Sequence, residues 1–503
     1  MPGRGPAERL PPTATLTPWL TFALTSVVAC SVIYDGNVEQ CATDGDCAAH
    51  HAVCNRQTQL CVAPPPNVAS SMGTAPDAAE DVAEEDASGD VGPTQAPWPC
   101  DNRNKPLVQI KGDLAASERL ICDNDYLLIG SVTVQAGAVL TIDPGTRIMG
   151  DVASKGTLFV LPGGRLVADG LRMAPIVFSS SAQPAQRRPG DWGGVVLLGR
   201  ASTNAVNLAV EGVAQSGAFG GGQDDDNSGV LRFVRIEYSG APFGTANERH
   251  GLTLGGVGRG TVVSHVQVRQ TSADCFRFLG GTANARFLVC QRASGGFVFS
   301  GGYRGTLQFL VLQQDPASTG EGSGLRAEND PRGTTTAPIT EPFIYNATFC
   351  GKNLFANHEQ YGLLIQRAAR AHVYDSLVAG FEAGFDVRDV PTSIDLRSSI
   401  VSSPILAYPE DGSNDGNQRN DDGGLDEVKL FWEPGRLNDT HMPSIGDCFD
   451  AARIDMAPSP SIKTNSLRPP SDGFLDTQAA YIGAFRDRSD DWTRGSWVVW
   501  SDR

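Results

Sequence analysis

HVQVRQTSADCFRFLGG (265–281) and RFLVCQRASGGFVFSGG (286–302) superpose at an offset of 21 residues, setting Val266 over Phe287, Val268 over Val289, Phe276 over Phe297 and Phe278 over Phe299. Each segment is a pair of short alternating apolar runs ended by glycine, which is the period of a strand and not of a helix. The unit recurs on both sides. A glycine or cysteine followed by apolar-x-apolar stands at GLTL (251), CFRF (275), GFVF (296), GLRA (324), GLLI (362) and GFDV (384), with spacings of 24, 21, 28, 38 and 22. Upstream, VTVQAGAVLTIDPGTRI (132–148) and LFVLPGGRLVADG (158–170) repeat a turn, Ala136-Gly137 against Pro162-Gly163. A repeat of this length built only from strands predicts an all-β fold, a right-handed parallel β-helix whose inward residues form continuous apolar columns. With strands stacked at about 4.8 Å, roughly twelve coils between residues 107 and 400 would make a stack about 60 Å long. Exposed ends of such a stack would polymerise, so the aromatic tail AAYIGAF (479–485) and DDWTRGSWVVW (490–500), with Trp492, Trp497 and Trp500, is expected to cap it.

Composition agrees. Glycine, 57 of 503 residues, exceeds the usual share of about 7%, and with no G-X-Y period the excess belongs at turns. A net charge of −17 argues against nucleic acid as a partner, because phosphate binding needs a basic surface that releases counterions. Eleven cysteines behind an export signal point to an oxidising compartment.

That signal occupies residues 1–29. Arg4 and Arg9 precede an apolar run, Trp19 to Ala29, too short to span a bilayer. Val27-Val28-Ala29-Cys30 resembles the bacterial lipobox, which implies acylation of Cys30 and anchorage in membrane lipid; ordinary cleavage after Ala29 is the alternative. Ser31 follows with no acidic retention residue, which favours the outer membrane or cell surface. Residues 30–61 carry Cys41, Cys47, Cys54 and Cys61, spaced like a small disulfide module, in a segment too short for an apolar core. Residues 62–97 are rich in Pro, Ala and acidic side chains and read as an extended tether; residues 98–503 form the β-helix with its cap.

The runs VTVQAGAVLTIDPGTRIMG, PGDWGGVVLLGRA, DDDNSGVLRFVRIEYSG, HGLTLGGVGRGT and FLGGTANARFLV, with the terminal YIGAF and DWTRGSW, resemble a family of secreted, cell-surface bacterial β-helix proteins over residues 107 to 500. The resemblance implies a pectate-lyase-like fold and no established activity. Members carry paired acidic residues where this chain has Ala273-Asp274-Cys275 and Ser294-Gly295-Gly296, so only Asp274 keeps the pattern.

Among candidate sites, the cluster Asp224, Asp225 and Asp226 supplies the hard oxygen ligands of a structural Ca²⁺; the alternative is a solvated turn held by Asx hydrogen bonds. Asn420 to Glu427 is a second acidic stretch but a poor match to a calcium loop. Arg235, Glu237 and His250 could join Asp224–Asp226 in a lyase- or hydrolase-type site, yet the alternation of RFVRIEYSG sends its charges to solvent, and no catalytic residue is assigned. His265 and His372 sit inside apolar strands, at outward or hydrogen-bonded positions. Cys275 and Cys290 stand one coil apart, Cys100 and Cys122 are close in sequence, and Cys350 with Cys448 would complete the pairing; buried free thiols are the alternative. The expectation is a non-enzymatic surface lipoprotein whose β-helix binds a glycan or an envelope protein. A carbohydrate-active enzyme and a structural envelope spacer are the competing readings. Carboxylates on neighbouring coils around Asp224–Asp226 and Asp274 would mark the enzyme, and a smooth neutral face the binder.

Overall fold

The computed structural model describes residues 53–55, 60–62, 100 and 104–500, apart from 206–207, 211–216, 243–249, 319–321, 355–359, 408–423, 446 and 450–453. The chain divides into two units, Met1–Gly92 and Pro93–Arg503. In the first, Val53–Asn55 pairs antiparallel with Leu60–Val62, placing Cys54 opposite Cys61. The signal segment, Cys30, Cys41, Cys47 and the tether beyond Val62 lie outside the described residues. Among the described residues no helix is long and apolar enough to cross a membrane.

The second unit is a right-handed parallel β-helix, with each coil passing through three sheets. Sheet A includes Val139–Ile142 and Arg165–Asp169, sheet B includes Arg147–Gly150 and Ile176–Ser180, and sheet C includes Thr157–Val160 and Gly194–Leu198. Ten consecutive parallel pairings link eleven strands in sheet B, from Leu107–Leu114 to Ile400–Ser402. At about 4.8 Å per step the stack is about 50 Å long, one coil short of the expectation.

Sheet C keeps the offset of 21 read from the sequence, with Phe276 beside Phe297 and Phe278 beside Phe299. Both pairs stack inside the coil at ring-centroid separations of 5.1 Å. In sheets A and B the offset is 22, so Val266 lies beside Leu288 and Val268 beside Cys290, not beside Phe287 and Val289. The corner from sheet B to sheet C holds residues 270–275 in one coil and only 292–296 in the next, and that missing residue changes the offset. A slip of one residue exchanges the two faces of a strand. Phe287 therefore points outward.

Its outward position belongs to a bend. Phe233, His265, Phe287, Phe309, Asn346, Asp375 and Ser398 occupy one column between sheets A and B, all with φ between +49° and +62°. Each turns the chain with one residue in the left-handed region, which bulky side chains rarely adopt. Single strands such as Gly229–Glu237 thus run through two sheets, with their inward parity reset at the bend.

The aromatic tail lies elsewhere than expected. The last coil is covered by a short helix, α1 (Glu427–Phe431), whose Phe431 is buried against Phe385 with rings 6.0 Å apart. Asp426 caps α1 by accepting a hydrogen bond from the Lys429 N–H at 2.8 Å. Replacing it with alanine is expected to cost about 1 kcal/mol, read as a lowered urea midpoint. Trp492, Trp497 and Trp500 instead belong to a strap that runs along the outside of sheet B. Ladder side chains hold its backbone: Gln308 and Asn346 bond Asp476, Ala479 and Tyr481, Thr348 accepts from Ala484 N–H, and Gln267 pairs with Val499 in both directions. Beneath it Phe233, Phe287, Phe309, Trp492 and Trp497 pack into a second apolar cluster. The outward aromatic column of the bend is therefore covered.

Three disulfides close the unit. Cys100–Cys122 joins the start of the first coil to its neighbour, Cys275–Cys290 bridges adjacent coils, and Cys350–Cys448 fastens the segment before the strap to sheet B, with Cα separations of 6.0, 5.7 and 6.1 Å. These are the three pairs expected, Cys350–Cys448 as the one that completes the set, and the free-thiol alternative is set aside.

Candidate functional site: a basic groove on sheet B

The strap leaves the first coils of sheet B uncovered. There the outward column reads Asp125, Arg147, Val177, Arg235, with Ser179 and Glu237 in the next outward column. Together with Lys105, Gly145, Thr146 and Arg187 they line a groove of about 480 Å³.

The polar side chains in it are fixed by one another. Arg147 holds Asp125 through both carboxylate oxygens, its Nε donating to Oδ1 at 3.1 Å and its Nη2 to Oδ2. Glu237 accepts from Arg235 Nε at 2.7 Å and from Ser179 Oγ at 2.9 Å, and Arg269 Nη1 stands 3.5 Å away. The Trp192 indole, fully buried, donates to the Glu237 carbonyl at 2.7 Å and sets that strand's height under the groove. Arg235 also donates from Nη1 to the Ser496 carbonyl at 2.7 Å, so the strap ends where the groove begins. Arg187 lies over the Tyr238 ring at 5.9 Å. Four cations, Lys105, Arg147, Arg187 and Arg235, face two carboxylates on a chain of net charge −17. Both carboxylates serve as acceptors for arginine, which suits a rigid binding surface better than proton transfer.

The sequence candidates fall in three separate places. Arg235 and Glu237 line the groove, but His250 and Asp224–Asp226 do not. Asp224 accepts from Ser202 N–H at 3.0 Å and pairs with Arg304 at 3.2 Å. Burial pushes its carboxyl up, but the Ser202 hydrogen bonds and the charges of Arg304 and Arg259 outweigh that and hold it below the usual carboxylate range. Asp225 pairs with Arg259 at 3.2 Å, and Asp226 accepts from Ser228 Oγ at 3.1 Å. Asp224 and Asp225 share Arg259, at 4.0 and 3.2 Å, while Asp226 turns to Ser228, so ion pairs and local hydrogen bonds hold the cluster. Among the described residues no three His, Cys, Asp or Glu side chains converge as a metal site. Of the second acidic stretch, 420–423 lie outside the described residues, and Asp426 is the α1 cap.

His250 is buried with Nδ1 3.6 Å from Asp274, which Arg326 also reaches at 3.4 Å. A side chain at Gly295 would collide with the Asp274 carboxylate, so glycine there makes room for it. His265 is stacked between Phe233 and Phe287 at 4.5 and 4.4 Å; burial, then the charges of Arg172, Arg286 and Arg232, push it down to about 3. It is neutral at physiological pH and structural. His372 stacks on Phe343 at 4.2 Å and bonds Glu341 and Tyr374 at 2.9 and 3.1 Å.

Lys105, Asp125, Arg147, Ser179 and Arg187 had no mark in the sequence beyond their outward parity. One signal was present: Asp125 and Arg147 carry opposite charges 22 residues apart, one coil length.

No curated protein matches the chain. The sequence model of the family described as pectate-lyase like beta helix domain matches residues 112–408, which takes in strands of all three sheets of the β-helix and more than half of the chain. With the coil, its three sheets and its inward ladder in agreement, the chain belongs to the pectate-lyase like beta helix domain family.

Proposed function

We propose that this protein is a non-enzymatic surface lipoprotein, held in the outer membrane through an acylated Cys30, whose β-helix binds a glycan in the groove on sheet B. The observation that carries the reading is the groove itself: an open track parallel to the coil axis, bearing four cations and two carboxylates already engaged by arginine. A polymer suits an open track that crosses successive rungs, and a bidentate guanidinium orients acidic or hydroxyl-rich ligands. This differs from both outcomes expected from the sequence, the acidic groove of an enzyme and the smooth neutral face of a binder. A glycan-array and polysaccharide-depolymerisation screen on the exported chain, with and without Ca²⁺, is expected to show retention without product release. Depolymerisation would overturn the reading in favour of the carbohydrate-active enzyme, and retention of no glycan would favour the envelope spacer. Metabolic labelling with a fatty acid, lost in Cys30→Ser, is the expected result for the anchor.

A further inference from the structure

The spacing of charge along the groove narrows the ligand. In the outward column, Arg147 and Arg235 stand two rungs apart with Val177 between them. Two rungs are about 10 Å, close to the length of a disaccharide unit. Further charge gathers at the same rungs. Arg187 lies over Tyr238, next along the strand from Glu237, at the Arg235 rung, and Asp125 fixes the Arg147 guanidinium through Nε and Nη2. Among the described residues, the bonds of Arg147 leave Nη1 for a ligand, and those of Arg235, through Nε and Nη1, leave Nη2. The middle rung offers a half-buried valine side chain. The track is short: beyond Arg235 the next residue of the column, Gln267, is covered by Val499.

Resting on the glycan-binding reading above, we infer that the groove recognises a linear glycan in which an anionic residue alternates with a neutral one. One carboxylate or sulfate is taken by Arg147 and the next by Arg235, and the neutral residue lies over Val177. A homopolymer with a charge on every residue sets its middle anion over the valine, where a desolvated charge has no partner.

The test measures binding of the full exported chain to three probes of equal length by calorimetry: a polymer of alternating uronate and neutral N-acetylhexosamine, a homopolymeric uronate, and a neutral β-glucan. The alternating polymer is expected to bind at least about tenfold more tightly than either other probe, as one well-placed charge-assisted contact confers. Arg147→Gln and Arg235→Gln should each lose about tenfold or more for it. Because those changes also unpair Asp125 or Glu237, Val177→Lys supplies the opposite readout: it should raise affinity for the homopolymer about tenfold while lowering or sparing that for the alternating chain. Equal or tighter homopolymer binding in the unaltered chain, or no response to Val177→Lys, would overturn the alternation and leave glycan binding standing. Preference for the neutral glucan would overturn the charge recognition, and failure of all three probes together with the array would overturn both readings.

Discussion

A chain carrying Cys350→Ala and Cys448→Ala is expected to lose about 4–5 kcal/mol of stability, because the bond closes a long loop whose freedom returns to the unfolded chain when it is cut. The two cysteines are 98 residues apart, the widest separation among the described disulfides. The folded state also depends on the bond. Cys350 and Cys448 belong to the apolar cluster that includes Phe309, Tyr481, Phe485, Trp492 and Trp497. Release of Cys448 loosens the segment against which the strap's aromatic rings pack, and the outward aromatic column of the bend becomes exposed. In a stack of coils each rung depends chiefly on its neighbours, so the loss should show first as detachment of the strap and only later as melting of the coils. Tryptophan fluorescence during guanidinium titration should therefore shift at lower denaturant than the far-ultraviolet dichroism. A midpoint change equivalent to less than about 1 kcal/mol, with both signals still coincident, would sink the prediction.

The second large effect depends on pH. Asp375 is fully buried at the bend, its Oδ1 accepts from the Leu467 N–H at 2.7 Å, its carbonyl accepts from Gly483 N–H at 2.8 Å, and Oδ2 has no hydrogen-bond partner among the described residues. Burial pushes its carboxyl up to about 7, opposed only in part by the Leu467 hydrogen bond. In the unfolded chain an aspartate titrates near 3.9. Below about pH 4 the group is protonated in both states and has no effect on stability. Between about 4 and 7 the unfolded chain loses the proton first, and folding is progressively opposed. Above about 7 the penalty is constant, at most about 4 kcal/mol. Asp375→Asn removes the charge and keeps an oxygen for Leu467, and asparagine tolerates the left-handed backbone found there, φ +50°. The variant is expected to melt higher than the parent at pH 8 and to match it near pH 4, the gap opening across that window. A gap independent of pH would show that Asp375 is not the group responsible.

Much of the coil was legible in the sequence because a parallel strand with one face inward repeats its apolar residues at every turn. The stacking of Phe276 on Phe297 could be read from an offset of 21, and two disulfides of the β-helix from cysteine spacing, with Cys350–Cys448 left to complete the pairing. The register of the other two sheets could not. One residue dropped from a corner and one left-handed residue at each bend reverse the parity of everything between, and neither leaves a compositional trace when the bend residue is phenylalanine or histidine. The same blindness hid the end of the stack. A tail rich in tryptophan looks like a cap, yet its rings match the outward column of Phe233, His265 and Phe287, of which the offset of 21 had set Phe287 over the inward Val266.

The candidate site shows the same division. Glu237 and Arg235 could be named from RFVRIEYSG, and their outward direction followed from alternation. Their partners could not, since Asp125, Arg147, Ser179 and Lys105 come from earlier coils and are neighbours only once the rungs are stacked. By itself the sequence determined the periodic core, because burying apolar side chains rewards a local pattern that repeats. Only the tertiary structure decided which stretch of the surface stays open. That depends on where a strap from the far end of the chain stops, at the hydrogen bond between Arg235 and Ser496, across 261 residues.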